Sequence, residues 1–413
     1  MFSPCNLPSF SCLKPSQLLL SLLITTIADR NSICNKENKF LKSKKNNMKK
    51  ILAFAVLFIA LANNIQAAIK RIGYWGTPVT GIDYATPALA VAACANGDSI
   101  YVYGSNAGVA WELNLTKRLV IIGSGYFYAS YTGLNYNAEL QNYPSASYAV
   151  VDLSDGSTGS IITGITGRVF ANGSHVNSIN NIRISNCNWT GTGASIILKD
   201  GITYDGWEIS KCYASSGMNF DNPNSKLTNF KILNNIFAVG SVVFGITPGQ
   251  IGIIENCTFI HGNTGSPVNF GGVSITVKNC IFTFANANTG NPSSYFYAFN
   301  NAYFTNCVFD VTPIPSISGT NNIIIPTIYN NPNIYIGWPN IGTLSYDARF
   351  TLKAGSPAIG AGIGGIDCGA FGGVNPYKLS GIPAIPAFTK LTAPSNSANT
   401  NPYTITFSVK ANK

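Results

Sequence analysis

Three observations predict that this 413-residue chain is an all-β solenoid. One pattern, apolar-x-apolar followed by polar residues and then Cys-x-Phe or a close variant, recurs six times between residues 181 and 310. Aligned on its Cys position, the pattern falls at 187, 212, 235, 257, 280 and 307, a mean spacing of 24 residues. Within each copy Ile, Val and Phe alternate with polar residues at period two, which buries one face of a strand. Self-similarity at such a period marks stacked units that share one continuous core.

The elements follow in chain order. Met48-Lys49-Lys50, the apolar run Ile51 to Ala62 and the small residues Ala67-Ala68 succeed one another as a basic region, an apolar region and a cleavage site. Residues 48–67 are therefore expected to be a signal peptide. The run is too short to cross a ~30 Å hydrocarbon core, so no transmembrane span is expected in the mature protein. Residues 1–47 hold Cys5, Cys12 and Cys34 but no periodicity, and signal peptides begin at an initiator Met. They are expected to be an over-extended reading frame ahead of Met48, with a cleaved pro-leader as the alternative. An Ala-rich segment, Thr86 to Cys94, is expected to form a helix over the first coil. From Ile100 to about Leu344 there is room for roughly ten coils, a rod of ~50 Å at the spacing of paired strands. The segment after Ser356 is expected to cover the last coil. Residues 376–413 are Pro-rich and end in the alternating run Tyr403 to Val409, which can pair with Ala387 to Thr392 as a short hairpin.

Asn precedes the Cys position at 186, 234, 256, 279 and 306, where the alternation changes phase. Asn tolerates the left-handed backbone of a sharp corner, and stacked at ~4.8 Å its amides can bond rung to rung. Cys187, Cys212, Cys257, Cys280 and Cys307 share one interior position, where free thiols act as small hydrophobes. A bond between adjacent rungs, such as Cys187 with Cys212, is the alternative. The fold is thus expected to be a single-stranded right-handed parallel β-helix at residues 68–375, with an N-terminal capping helix.

The Asn-Cys-x-Phe repeats resemble those of secreted bacterial right-handed β-helix repeat proteins of the pectin-lyase-like superfamily. Asn96-Gly-Asp-Ser-Ile-Tyr-Val-Tyr103 is similar to the first coil of that family. Arg349 to Gly360 and Asp367-Cys-Gly-Ala-Phe371 are similar to its closing motif. The resemblance covers roughly residues 70–375 and implies export to the cell surface or medium. It also implies polysaccharide or cell-surface glycan as the partner class.

Chemistry is less sharply written. The net charge of +10 suggests a polyanion, yet residues 1–67 hold nine basic and two acidic side chains. The remainder is left with 17 basic against 14 acidic residues, so no nucleic-acid partner is expected. Zinc is not expected either, because only His175 and His261 occur and no CxxC spacing exists. Four positions before the Cys, Arg183, Glu208 and Lys231 should stack on successive rungs, as a solvated ion-pair ladder or as a strip gripping uronate carboxylates. Lys211 replaces the corner Asn near Asp200 and Asp205. With Arg183 and Glu208 it forms the catalytic set expected of a uronate lyase, which would take Ca²⁺; otherwise no cofactor is expected. Asp152 and Asp155 are expected to form a turn rather than a Ca²⁺ site. Tyr126, Tyr128, Tyr297 and Tyr303 sit where loop aromatics could face sugar rings. Paired Asp, Gly-His-Gly and Arg-x-Lys motifs of the family's hydrolases are absent from the sequence. The expected function is a monomeric, non-catalytic glycan-binding or adhesive protein. A uronate polysaccharide lyase and a structural envelope rod are the alternatives.

Overall fold

A computed structural model describes residues 67–72, 83–102, 112–123, 125–126, 149–171, 176–189, 196–215, 218–220, 224–238, 242–244, 249–261, 268–270, 273–284, 296–297, 302–310, 317–325, 332–338, 344–381, 387–392 and 406–410. The expected reading-frame extension and all but Ala67 of the expected signal peptide lie outside them.

Parallel strands wind into a β-solenoid with three stacked sheets. The first sheet has eleven strands, running from Ile69–Ile72 through Arg183–Ser185, Glu208–Ser210 and Phe230–Leu233 to Ser318–Thr320. The second sheet has eight strands and the third seven. Among the described residues five turns carry a strand on all three sides: those entering the first sheet at Arg183, Glu208, Phe230, Gln250 and Val273. The β-helix is as expected, and the complete described turns are fewer than the roughly ten coils expected. Among the described residues, the turn before Arg183 meets the third sheet through an isolated bridge, Thr166 to Asn188, ahead of the first Asn-Cys stretch.

The core follows from the alternation. Ile121, Ile162, Ile184, Ile209, Ile232, Ile254 and Val277 lie in register along the first sheet and are all buried. Each such side chain contributes about 1.5–3 kcal/mol on burial. On the third sheet Phe237, Phe259, Phe282 and Phe309 stack at centroid distances of 4.8, 4.7 and 5.0 Å, because the rung spacing sets equivalent rings in stacking range.

The corner between the first and third sheets is left-handed on every full turn. Asn186, Lys211, Asn234, Asn256 and Asn279 have φ between 50° and 54°, and Asn306 has 54°. This conformation costs most residues about 1–2 kcal/mol, and Asn tolerates it best after Gly. A second left-handed corner at Asn181, Gly206 and Asn229 opens the first-sheet strands.

The residue after the corner has a role that apolar packing does not describe. Its backbone N–H points along the rod and meets the equivalent side chain one rung on. Cys187 N donates to Cys212 Sγ (3.4 Å), Cys212 N to Asn235 Oδ1 (2.8 Å), and Asn235 N to Cys257 Sγ (3.5 Å). Cys257 N donates to Cys280 Sγ (3.3 Å) and Cys307 N to Asn322 Oδ1 (3.0 Å). Cys and Asn both serve here because both are small enough for the interior and both present an acceptor. The seven described cysteines are free thiols and all are buried.

At the N-terminal end the helix Pro87–Ala93 starts at Thr86, whose hydroxyl accepts from Leu89 N. Lys117 Nζ closes its other end, donating to the carbonyls of Val91 (3.1 Å), Ala92 (3.1 Å) and Cys94 (2.7 Å). The first strand is tied on by Asp98, which accepts from Ala68 N and Ala95 N, both at 2.8 Å. The Ala95 bond first, and then the Ala68 bond, hold the Asp98 carboxyl below its ordinary value. A depressed folded-state pKa adds stability that is present above the unfolded value of ~3.9 and is lost as pH falls through the folded one. Asp98→Asn is therefore expected to lower stability at neutral pH, and the gap should close below pH ~4. Urea midpoints measured at stepped pH check this; a gap independent of pH would count against it.

The C-terminal segment corrects another expectation. Instead of capping the last coil, residues 359–381 run back along the corner and over the outer face of the third sheet. Asn306 Nδ2 donates to Ala361 O (3.0 Å), and Asn279 Oδ1 accepts from Ile363 N (2.9 Å). Asn256 Nδ2 reaches Asp367 O (3.1 Å), and Asn234 Nδ2 reaches Ala370 O (3.0 Å) and Gly372 O (2.8 Å). These Asn amides hold a strap and do not bond to one another, so the expected rung-to-rung ladder is replaced by a docking rail. The cause is geometric: a left-handed corner turns the side chain outward, where an unpaired backbone runs past. Beneath the strap lies a second core of Ile236, Ile260, Ile281, Val308, Tyr335, Phe350, Cys368 and Ala370. Gly369 passes so close that a Cβ there would lie 2.7 Å from Ile281. Ala387–Thr392 and Thr406–Lys410 pair antiparallel as a hairpin. No helix among the described residues is long and apolar enough to cross a membrane.

Candidate functional site

The outer face of the first sheet brings the expected charged column together. Arg183, Glu208 and Lys231 are register partners on successive strands, and the column continues through Ile253, Thr276 and Tyr303. They face outward because they alternate with the buried Ile184, Ile209 and Ile232. Arg183 and Lys231 are exposed, and Glu208 between them is half-buried. Among the described residues the one ion pair within 4.0 Å is Arg71–Asp83, so the column does not close on itself. Tyr303, 49% exposed, stands three rungs beyond Lys231.

Lys211 stands elsewhere. It occupies the corner after Ser210, half-buried, and its Nζ donates to Asn375 Oδ1 of the strap. Burial lowers its pKa, the neighbouring Lys378 lowers it further, and Glu208 opposes both. The expected partner Asp205 lies at the other end of the strand Glu208–Ser210, accepting from Thr228 Oγ1 (2.7 Å) and Asn229 Nδ2 (2.6 Å). Asp200 is exposed in the turn before Thr203–Asp205. The Lys211–Asp200–Asp205 cluster is therefore not assembled, because Asp205 serves the opposite corner.

The expected aromatic sites divide. Tyr126 is buried under the strap, not free to stack on a sugar: its hydroxyl lies 2.5 Å from that of Tyr377, and its N–H donates to Ser380 O. Tyr297 lies in the outermost strand of the second sheet, in register with Asn269, and its side chain is outside the described residues. Tyr128 lies wholly outside them. Asp155 accepts from Val176 N (3.3 Å) and Asn177 N (3.1 Å), binding a loop. Among the described residues no three His, Cys, Asp or Glu side chains form a metal-binding group.

Sequence reasoning missed a polar centre at the strap's end. Asp347 is fully buried and accepts four bonds, from Ser345 Oγ (2.6 Å), Ala348 N (2.9 Å), Tyr377 OH (3.2 Å) and Ser380 N (2.7 Å). Arg349, two residues on, is also buried. Arg349 opens the Arg349–Gly360 motif and Asp347 stands two residues before it; the signal is a charged pair inside a stretch otherwise rich in small and apolar residues.

Comparison with protein-family models, with curated proteins and with solved structures gives no match.

Proposed function

We propose that the chain is an exported β-helix rod of the pectin-lyase-like kind that binds acidic polysaccharide along its first sheet as a monomer, without cleaving it. The observation that carries this reading is the Arg183–Glu208–Lys231 column, in register and open to solvent. Arg183 and Lys231 are two rungs apart, ~10 Å, so one extended chain of carboxylates can engage both. Tyr303, exposed on the same column, adds a ring face for a sugar.

The lyase reading has one supporting observation, the lowered pKa of Lys211, since a basic catalyst needs a lysine that deprotonates readily. Against it, Lys211 is bonded to Asn375. The test is retention on immobilised polygalacturonate. Arg183→Ala with Lys231→Ala is expected to weaken retention about tenfold or more, and added salt should weaken the wild type likewise. Glu208→Gln is expected to tighten it. Retention indifferent to these changes, or release of an unsaturated, ultraviolet-absorbing sugar product, would overturn the proposal.

A further inference from the structure

We propose that Arg349 forms the base of a carboxylate-binding site at the strap, one that receives the acid group of a uronate sugar. The choice of sugar rests on the glycan-binding reading above; the anion site rests on the residues themselves.

Arg349 is seated with care. It lies in the short 3₁₀ turn Ala348–Phe350, started by Asp347. Its N–H donates to Ser345 O (3.3 Å), and its carbonyl accepts from Gly337 N (3.0 Å). A Cβ at Gly337 would lie 2.8 Å from both Cα and Cβ of Arg349, so glycine is what lets the two backbones approach. The side chain keeps 6% of its exposure, and its guanidinium lies 4.5 Å from the Tyr346 ring centroid.

The buried Tyr213 phenol lies within electrostatic reach of the guanidinium, but this seating does not supply an acceptor for Nε. Arg349 Nε–H is buried and has no hydrogen-bond partner among the described residues, and no described carboxylate stands within 4.0 Å of the guanidinium. Asp347, the nearest acid in sequence, already accepts four other bonds. The indole N–H of Trp338, next to Gly337, is likewise buried without a partner. A buried guanidinium is costly unless its charge and its donors are met. Cation–π contact with Tyr346 meets part of the charge and none of the hydrogen bonds. The planar fork of arginine matches a carboxylate, which accepts two parallel bonds and cancels the charge. Tyr346, 57% exposed, marks the side from which a ligand arrives and offers a ring face to a pyranose. A uronate carries both groups; a neutral hexose carries only the ring.

The experiment follows the Arg349 Nε–H resonance by nitrogen–proton correlation spectroscopy, assigned by its loss in Arg349→Lys. Galacturonate is expected to move it saturably, and galactose is not. Arg349→Lys, which keeps the charge and loses the fork, should bind galacturonate about tenfold to a hundredfold more weakly by calorimetry. Tyr346→Ala should weaken binding with the fold intact. A resonance unmoved by galacturonate, or moved equally by galactose, overturns the site. An equal response to acetate overturns the sugar assignment. The Arg183→Ala, Lys231→Ala protein separates the two proposals. If it loses polymer retention yet still shifts Arg349 with galacturonate, both stand. If the wild type shows no polymer retention while Arg349 responds, only the binding-rod reading falls.

Discussion

Asn235→Leu is expected to destabilise the rod by about 2–5 kcal/mol, because two buried backbone groups lose their partners together. Asn235 Oδ1 accepts from Cys212 N, and its Nδ2 donates to Ile209 O at 2.9 Å, both in the preceding rung. Leucine of similar volume meets neither. Asn235→Cys should cost about 1 kcal/mol, because a thiol at this position keeps an acceptor for the N–H of the rung before. Neighbouring rungs show that geometry, with Cys280 Sγ accepting from Cys257 N and donating to Ile254 O (3.9 Å). Urea denaturation of both variants is the measurement. Equal losses would mean that volume, not hydrogen bonding, selects the residue after the corner.

Asp347→Ala is expected to release the strap while leaving the solenoid wound. It removes the acceptor of Tyr377 OH, Ser380 N and Ser345 Oγ from a fully buried place, a cost of about 3 kcal/mol or more. Tyr126 and Tyr377 then lose the end of their hydrogen-bond chain. Hydrogen exchange should accelerate across residues 359–381 and remain slow at Ile184, Ile209 and Ile232. Exposure of Ile236, Ile281 and Val308 should appear as binding of an apolar dye. Uniform loss of protection along the whole chain would instead show that strap and rod fold as one unit.

The solenoid was legible because its causes are local and repeated. Period-two Ile and Val, and an Asn at every repeat corner but that of Lys211, each recur often enough to be read without tertiary information. The column of Arg183, Glu208 and Lys231 was legible for the same reason, since one fixed offset from the Cys sets its register. Lys211 could not be placed by offset alone: its partner Asn375 lies 164 residues away, on a segment with no repeat. Tyr126 misled in the same way, since its partners Tyr377 and Ser380 come from that segment. In the turn before Arg183 the sequence departs from the repeat: its corner residue is Gly164, and its described contact with the third sheet is the Thr166 bridge. The Asn amides were read as bonding to their like because nothing in the repeat itself announces a crossing chain.

That crossing chain alters how the rod bears mechanical load. A bare solenoid holds each rung only by its neighbours, so a pull on one end peels turns away in series, each at its own small cost. Here one continuous backbone is pinned to Asn306, Asn279, Asn256 and Asn234 in succession. These turns share the force and yield together, as laths riveted to a batten do. The described contacts of this batten end near Asn186, whose carbonyl lies against Gly381, and among the described residues the turn before Arg183 meets the third sheet through the Thr166 bridge, so there the pull would begin its work.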